Sequence, residues 1–371
     1  MSGALVVIAG GGTAGHVFPG LALGRALRDR GHSVRFVGTE GGLEARLVPA
    51  GGFEFHAVPA RPLVRRLSID AARAPFVALG AIRRCRPLVH GAGTVVGMGG
   101  YVSVSAVLAA RRDGVPVVLH EQNATPGLAN RALARLSRAV ALSFGDARRA
   151  FGRGVRVELT GNPVREEILR VVDDRDTLAK EAREVLELEE DRKTVLIFGG
   201  SQGALHIDRT AVGACRILSG RSDLQIVLIT GPAHEDSVRP GLPSARGGLL
   251  VRLIGYLGRM ELAYACADLA VSRSGATTVA ELTVCGLPAL LIPYPYATGR
   301  HQEANARAVQ RAGGASVLLD DQLSADALAS RIESLVDHDE RLRAMAERSK
   351  AFGRPDATAR LADLVEEVSA K

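Results

Sequence analysis

Short apolar runs that end in clusters of glycine recur along this chain and constrain its fold more than any other feature. The first run, residues 6–9, leads into Gly-Gly-Gly-Thr-Ala-Gly-His at 10–16, and a helix-like segment follows over about 19–30. Glycine lets the main chain turn tightly and approach a ligand closely. The unpaired N–H groups at the start of a helix attract phosphate, so this first glycine loop predicts a phosphate or sugar-phosphate site.

Strand-like and helix-like segments alternate twice along the chain. The strand-like runs are rich in valine, leucine and isoleucine, as is typical of parallel strands buried on both faces. They cover 5–9, 34–37, 54–58, 94–96, 116–119, 139–142 and 156–159, and then 194–198, 225–230, 250–254, 269–272, 289–292 and 315–319. This order predicts an α/β fold with two Rossmann-like domains whose parallel sheets face across a ligand-binding cleft.

The chain has 371 residues, more than one hydrophobic core usually organises, and Gly161-Asn162-Pro163 interrupts the pattern. We therefore expect an N-terminal domain over 1–162 and a C-terminal domain over 163–340. The amphipathic segment within 341–371 is expected to pack back on the first domain.

A basic segment with an apolar centre lies within residues 61–86. Its seven arginines face one acid, Asp70, and the run 74–79 between them is apolar. Such a segment suits an anionic membrane surface, and we predict a membrane patch of Phe76, Leu79, Arg83 and Arg84. A solvated basic helix is the alternative. Aromatic residues make up only 4% of the chain and tryptophan is absent, so no nucleic-acid partner is expected.

Cysteine spacing and hydropathy indicate the cellular compartment in which the protein works. Cys85, Cys215, Cys266 and Cys285 show no C-x-x-C spacing, which predicts reduced thiols in the cytoplasm and no zinc site. The N-terminal apolar run is short and no positive segment precedes it, so no signal peptide is expected. No apolar run is long enough to span a bilayer.

Three further loops repeat the arrangement of the first. The second glycine loop is Gly-Met-Gly-Gly-Tyr-Val-Ser at 97–103, the third is Gly-Gly-Ser-Gln-Gly at 199–203, and Arg-Ser-Gly-Ala-Thr-Thr-Val-Ala-Glu follows at 273–281. One such turn is commonly mere packing, but several at strand ends favour diphosphate binding. Ser274 is a predicted helix cap, and Glu281, two turns later, is placed to bind ribose hydroxyls. A solvated helical glutamate is the alternative.

Four polar residues, His120-Glu121-Gln122-Asn123, follow a buried strand. Either Glu121 or His16 is a candidate general base, and Asn123 a candidate ligand for a sugar hydroxyl. We expect these three residues and Tyr101 to line one side of the cleft.

Other site classes find less support in the sequence. Gly10, Gly12 and Gly15 match the dinucleotide fingerprint, but the second strand lacks the acid at its end that would bind a ribose, which disfavours a nicotinamide cofactor. Asp-x-Asp occurs at 174–176 and 337–339, yet in charged, surface-like segments, so no metal is expected. Neither a G-x-S-x-G elbow nor a P-loop lysine motif is present.

Six motifs in order, the loops above together with His-Glu-Gln-Asn at 120–123 and Gly-Asn-Pro-Val-Arg at 161–165, resemble those of the MurG family of peptidoglycan N-acetylglucosaminyltransferases. The resemblance covers nearly the whole chain. It implies a GT-B glycosyltransferase that transfers N-acetylglucosamine with inversion from UDP-N-acetylglucosamine to the C4 hydroxyl of undecaprenyl-diphospho-N-acetylmuramoyl-pentapeptide. It also implies no cofactor, a peripheral position on the cytoplasmic face of the bacterial cell membrane, and contacts with other cell-wall synthesis proteins.

The resemblance assigns roles to individual residues. His16 and Glu121 match the catalytic candidates, and Gly99, Gly100 and Tyr101 match the acceptor-binding loop. The donor-binding positions are Thr13, Ala14, Gly15, Asn123, Arg165, Ser201, Leu257, Ala276, Thr277, Thr278, Val279, Ala280, Glu281, Gln302 and Asn305.

Several positions depart from the family pattern. Ala14 replaces a frequent glycine, Val104-Ser105 replaces Gly-Pro, and an insertion at 298–299 shifts the alignment to Gln302. Asp208 replaces an asparagine after the third loop and is expected to point away from the diphosphate. A UDP-N-acetylglucosamine epimerase and a non-catalytic nucleotide-sugar-binding protein remain the alternative functions.

Overall fold

The computed structural model describes residues 3–59, 69–200, 203–243 and 248–370, and of residues 69–78 the main chain only. The chain divides into two compact units, Met1–Val164 with Pro355–Lys371, and Arg165–Arg354. Each unit contains one parallel sheet with helices packed against it.

The sheet of the first unit has seven strands in the order β3-β2-β1-β4-β5-β6-β7. The strands are β1 Leu5–Gly10, β2 Ser33–Gly38, β3 Glu54–Ala57, β4 Thr94–Gly99, β5 Val117–Glu121, β6 Ala139–Leu142 and β7 Val157–Leu159. The helices are α1 Ala14–Asp29, α2 Glu44–Ala50, α3 Ile69–Val89, α4 Gly100–Arg112, α5 Leu128–Leu133 and, from the C-terminus, α15 Ala357–Ser369.

The direction of strand addition reverses at β1, where β2 lies on one side and β4 on the other. Gly10 at the end of β1 is in register with Gly99 at the end of β4. The first and second glycine loops therefore leave the sheet side by side at its carboxyl edge, the usual ligand-binding edge of such sheets.

The second unit repeats this arrangement with six strands in the order β10-β9-β8-β11-β12-β13. They are β8 Lys193–Phe198, β9 Leu224–Ile229, β10 Leu250–Ile254, β11 Leu269–Ser272, β12 Ala289–Leu291 and β13 Ala315–Val317. The helices are α6 Glu166–Asp173, α7 Arg175–Val185, α8 Leu205–Ile217, α9 Glu235–Val238, α10 Met260–Cys266, α11 Ala276–Val284, α12 His301–Ala312, α13 Ala325–Val336 and α14 Asp339–Phe352. Phe198 pairs with Ser272, so the third glycine loop leaves the sheet beside the start of α11.

The C-terminal segment 341–371 divides between the units. Leu342 and Met345 of α14 are buried in the core of the second unit. Leu361, Leu364 and Val365 of α15 instead join the core formed by β1 and α1 in the first unit. Only α15 thus packs back on the first unit, because α14 packs against α11, α12 and α13 of the second unit.

A strand lies at each of the thirteen predicted positions, with bounds that differ by up to three residues. The largest difference is in β4, which continues through Gly97 to Gly99. A Cβ on Gly97 would lie 2.5 Å from Ser103 Oγ and 2.9 Å from a methyl carbon of Leu119, so the glycine lets the strand continue beneath α4.

Within the described part of the chain, no helix combines the length and the apolar character needed to cross a bilayer.

Candidate active site

The first and second glycine loops approach each other closely at the carboxyl edge of the first sheet. Gly99 and Gly100 have φ values of 105° and 81°, which favour glycine over residues with a side chain. A Cβ on Gly100 would lie 3.0 Å from the carbonyl oxygen of Gly11. Tyr101, the next residue, has a relative exposure of 46%. The three predicted acceptor residues are therefore contiguous and lie beside the first loop.

His16 lies in the first turn of α1, which begins after the N-cap Thr13 with Ala14 and Gly15. Its Nδ1 is 3.0 Å from the carbonyl oxygen of Gly11 and 3.2 Å from Thr13 Oγ1. Because a carbonyl oxygen only accepts, Nδ1 carries the hydrogen and Nε2 carries the lone pair.

The second glycine loop makes room for this ring. A Cβ on Gly99 would lie 2.8 Å from His16 Nε2. His16 therefore presents a proton-accepting nitrogen beside the loop that the sequence assigns to the acceptor.

Glu121, at the end of β5, is buried and organises the loop that follows it. Its Oε1 accepts hydrogen bonds from Asn123 N at 3.0 Å and Asn123 Nδ2 at 3.4 Å. Its Oε2 accepts from Gly127 N and Asn130 Nδ2, both at 2.9 Å. Four donors thus surround the carboxylate, which fixes the position of Asn123.

The neighbours of Glu121 tie this loop to the rest of the sheet. His120 is fully buried, its Nε2 lies 3.1 Å from the carbonyl oxygen of Gly161, and burial lowers its pKa to about 4. The Gln122 side-chain amide donates to the carbonyl oxygen of Met98 in β4. The polar run therefore fixes the second glycine loop relative to β5.

In the second unit, the predicted donor residues 276–281 form the first turns of α11. Gly275 is the N-cap, so the prediction that Ser274 caps this helix is wrong. Ser274 Oγ instead donates to the carbonyl oxygen of Gln302 at 2.8 Å, because the buried strand end directs the side chain toward α12.

Glu281 is 4% exposed and forms an ion pair with Arg165, the N-cap residue of α6. Its Oε1 accepts from Arg165 Nε at 3.1 Å and Nη2 at 2.9 Å, and its Oε2 accepts from Tyr264 Oη at 2.9 Å. Burial lowers the pKa of Arg165, but the charge and hydrogen bonds of Glu281, together with the charges of Tyr264 and Glu167, outweigh burial and hold the pKa above its usual value. Burial, and then Glu281, raise the pKa of Tyr264. Two predicted donor-binding residues are thus joined.

Gln302 and Asn305 lie one helical turn apart on α12, beside the start of α11. Asn305 is fully buried, and its Nδ2 donates to the carbonyl oxygen of Ser274 at 3.1 Å. Gln302 Oε1 accepts from Tyr294 N at 3.0 Å, which directs its NH2 group to the other side. Both predicted donor-binding residues are therefore held in defined orientations.

The third glycine loop is described except for Ser201 and Gln202, so the predicted role of Ser201 lies outside the described residues. Gly200 and Gly203 have φ values of 98° and 73°. After the loop, the buried Asp208 Oδ2 lies 2.9 Å from His234 Nδ1. Asp208 thus points into the unit toward His234.

Two predicted positions lie on other elements. Leu257 is half-buried in the loop after β10, next to Tyr256, which is 76% exposed. In the predicted membrane patch on α3, Leu79, Arg83 and Arg84 are exposed, and the side chain of Phe76 lies outside the described residues.

Sequence reasoning missed three residues that hold the site: Glu44 at the first glycine loop, His234 at the third, and Tyr264 at Glu281 of α11. Each contacts residues distant in sequence, so no local motif marks it. The glycines at 38 and 42 were a usable signal for Glu44, because they leave room for its side chain.

No cluster of three or more His, Cys, Asp or Glu side chains suited to a metal ion occurs in the described ranges. Of the Asp-x-Asp pairs, Asp337 pairs with Arg221 and Asp339 with Lys193.

Two sequence profiles match the chain. The glycosyltransferase family 28 N-terminal domain covers residues 6–142, and the C-terminal domain of the same family covers residues 194–361. The chain belongs to glycosyltransferase family 28.

Curated proteins from several bacteria are similar to the chain over nearly its whole length. The protein of Acidothermus cellulolyticus is 43% identical over 98% of this chain and 98% of its own length. That of Mycolicibacterium smegmatis is 42% identical over 99% and 94%, and that of Halothermothrix orenii is 41% identical over 98% and 99%. All three are named UDP-N-acetylglucosamine–N-acetylmuramyl-(pentapeptide) pyrophosphoryl-undecaprenol N-acetylglucosamine transferase.

Solved structures agree with the family 28 assignment. Acinetobacter baumannii MurG is 28% identical, with a TM-score of 0.79 over 98% of this chain and 99% of that one. The UDP-GlcNAc 2-epimerase of Neisseria meningitidis, 14% identical with a TM-score of 0.67 over 98% and 99% of the chains, shares the fold alone. The fold is GT-B, with two Rossmann-like units, as predicted.

Proposed function

We propose that this chain transfers N-acetylglucosamine from UDP-N-acetylglucosamine to the C4 hydroxyl of undecaprenyl-diphospho-N-acetylmuramoyl-pentapeptide, with inversion at the sugar C1. The names of its family 28 relatives support the donor and the lipid-linked acceptor. The observation that carries the mechanism is the 3.0 Å contact of His16 Nδ1 with the carbonyl oxygen of Gly11, since it assigns the hydrogen of the neutral ring to Nδ1 and turns Nε2 toward the second glycine loop.

His16 acts as the general base in this proposal. Nε2 takes the proton of the C4 hydroxyl while the oxygen attacks C1 of the donor sugar, and the bond from C1 to the phosphate oxygen breaks. UDP leaves with the bonding electron pair on its diphosphate. Attack opposite the leaving group inverts C1 in one displacement.

Glu121 serves to position the acceptor loop. Its carboxylate already accepts four hydrogen bonds, and proton transfer to it would weaken the bonds that hold Asn123 and Gly127. These four hydrogen bonds favour His16 over Glu121 as the base.

The second unit binds the donor. The N–H groups at the start of α11 and in the third glycine loop stabilise the negative charge that develops on the diphosphate. Glu281 accepts a hydrogen bond from the ribose, since a carboxylate has about four acceptor sites and Arg165 and Tyr264 use three of them. Gln302 donates from its NH2 group to the transferred sugar, and the main chain of Leu257 binds the uracil.

The first unit binds the acceptor at the cytoplasmic face of the membrane. Exposed Leu79 with the exposed Arg83 and Arg84 supports contact of α3 with an anionic bilayer. Such a peripheral position brings the second glycine loop to a substrate whose lipid stays in the membrane.

A direct assay tests this function. The purified chain is incubated with UDP-N-acetylglucosamine and a short-chain lipid acceptor, and UDP, the disaccharide and its anomeric configuration are measured. We expect equal amounts of UDP and a β-linked disaccharide. UDP without disaccharide refutes the transferase, and a sugar epimerised without acceptor indicates the epimerase.

A further inference from the structure

A buried carboxylate that the mechanism does not use lies beneath the first glycine loop. Glu44, the first residue of α2, is 2% exposed. Its Oε2 accepts from Gly12 N at 3.0 Å, and its Oε1 accepts from Thr39 N at 2.9 Å and Thr39 Oγ1 at 2.7 Å. Three donors from two loops thus converge on one side chain.

The glycines of both loops are shaped around this carboxylate. A Cβ on Gly11 would lie 2.0 Å from a Glu44 carboxylate oxygen, and a Cβ on Gly42 would lie 2.2 Å from one. A Cβ on Gly38 would lie 2.5 Å from Glu44 Cγ. Any larger residue at these positions would displace Glu44.

The carboxylate is held as an anion by hydrogen bonds alone. Burial raises the pKa of Glu44, but the hydrogen bonds from Thr39 and Gly12 outweigh burial and hold the pKa below its usual value. No Lys or Arg pairs with Glu44 among the residues that the structure describes. The main-chain N–H of Gly12 in the first loop and that of Thr39 after β2 therefore hold the chain's own anion, in the manner in which glycine loops hold phosphate.

The contact to His16 passes through a single peptide group. The N–H of Gly12 donates to Glu44, and the C=O of Gly11, which belongs to the same planar peptide, accepts from His16 Nδ1. A hydrogen bond at the N–H of a peptide also polarises its C=O and strengthens it as an acceptor.

We propose that Glu44 is a positioning residue for His16, which it orients and holds in the Nδ1–H tautomer through the Gly11–Gly12 peptide group. The arrangement performs the task of the carboxylate that orients a catalytic histidine, with one peptide between the two side chains. The effect on rate rests on the function proposed above, whereas the effect on the His16 tautomer does not depend on the reaction.

The first test measures the tautomer. Protein labelled with ¹⁵N-histidine is compared with Glu44→Gln, which retains the size but places an NH2 group against one of the N–H donors. We expect Nδ1–H at His16 in the unaltered protein and a several-fold rise of the Nε2–H tautomer in Glu44→Gln. Glu54→Gln, a change at an exposed carboxylate on β3, is the matched control and leaves the His16 signals in place.

Thr39→Val provides a milder variant that keeps the charge and removes only the hydroxyl donor. It decides the question if Glu44→Gln fails to fold, as judged by circular dichroism. We expect a smaller shift of the His16 tautomer in the same direction. A folded variant of either kind with an unchanged tautomer ratio overturns the proposal.

The second test separates turnover from donor binding. We expect Glu44→Gln to lower kcat by about tenfold or more while the Kd for UDP stays within about twofold, since UDP binds the second unit. Equal losses in kcat and UDP affinity contradict a role through His16. If His16→Ala keeps full activity, the proposed base is wrong, yet the tautomer measurement still tests Glu44.

Discussion

The carboxylate of Asp208 and the imidazole of His234 form a pair behind the third glycine loop, with Asp208 Oδ2 2.9 Å from His234 Nδ1. Asp208 is wholly buried in the first turn of α8, and its Oδ1 accepts no hydrogen bond from the described residues. A Cβ on Gly203 would lie 3.0 Å from His234 Nδ1, so the histidine also packs against the loop. The charge that the sequence places near the diphosphate is therefore directed at His234.

This pair predicts a pH-dependent free energy of unfolding. Burial raises the pKa of Asp208 to about 6, although His234 opposes the shift. A carboxyl whose pKa is raised on folding favours the folded state at low pH and loses that contribution as pH rises through about 6. Asp208→Asn removes this loss. The free energy of unfolding of the variant relative to that of the unaltered protein should therefore rise by about 1–3 kcal/mol from about pH 4 to about pH 8, since one pKa unit is about 1.4 kcal/mol.

Urea unfolding across that pH range measures the difference. Asp236→Asn, at an exposed carboxylate of α9, is the control and should show a constant offset. A constant offset for Asp208→Asn as well would show that Asp208 binds protons equally in the folded and unfolded chain.

Glu281→Ala should weaken donor binding. The lost hydrogen bond from the ribose to this charged group is worth roughly 1–3 kcal/mol, which raises the Kd for UDP roughly 5- to 150-fold. The change also leaves the Arg165 guanidinium and the Tyr264 hydroxyl without their partner. Calorimetry with UDP and with ribose-free uracil separates the effects, and Glu184→Ala, at an exposed glutamate on α7, is the control. An unchanged Kd for UDP excludes the ribose contact.

His16→Ala should slow turnover far more than it weakens donor binding. Loss of a general base costs roughly 10²- to 10⁴-fold in kcat. In the unaltered protein the rate should fall at low pH as Nε2 becomes protonated, and this fall should be absent in the variant. Steady-state kinetics over pH provide the measurement, with His90→Ala, at a largely exposed histidine of the same unit, as the control. Parallel losses of kcat and UDP affinity would reject His16 as the base.

The double change Phe76→Ser and Leu79→Ser should reduce binding to anionic vesicles. Each apolar side chain that enters the bilayer contributes about 1.5–3 kcal/mol to binding, so the partition coefficient between vesicles and water should fall at least about tenfold. Vesicle sedimentation at low and high salt measures it, and salt should weaken binding further through Arg83 and Arg84. Leu128→Ser removes a leucine of 67% exposure elsewhere in the same unit and should leave binding unchanged. Equal binding of both variants would discard the patch.

The fold could be predicted from the sequence because buried parallel strands have a local signature. Runs such as 139–142 and 250–254 contain only apolar residues or nearly so, and the observed strands have the same bounds. The glycine loops were equally recognisable, because each follows such a run directly.

The connections between loops could not be predicted, because they depend on contacts between distant residues. Glu44 belongs to no local sequence motif, yet it contacts Gly12, 32 residues earlier in the chain. Ser274 matched the residue type of a helix cap, but the strand end directs its hydroxyl to Gln302. Tyr264 lies in an alanine-rich helix whose pattern indicates only burial.

The helix α15 gives the order of synthesis a physical consequence. Leu361 and Val365, both at 0% exposure, complete a hydrophobic core whose other members are made within the first 141 residues. The ribosome therefore synthesises the second unit as one continuous segment, whereas the first unit lacks part of its hydrophobic core until α15 has been made. Nascent chains stalled before residue 355 should consequently carry an open, chaperone-binding face on the part of the protein that was made first.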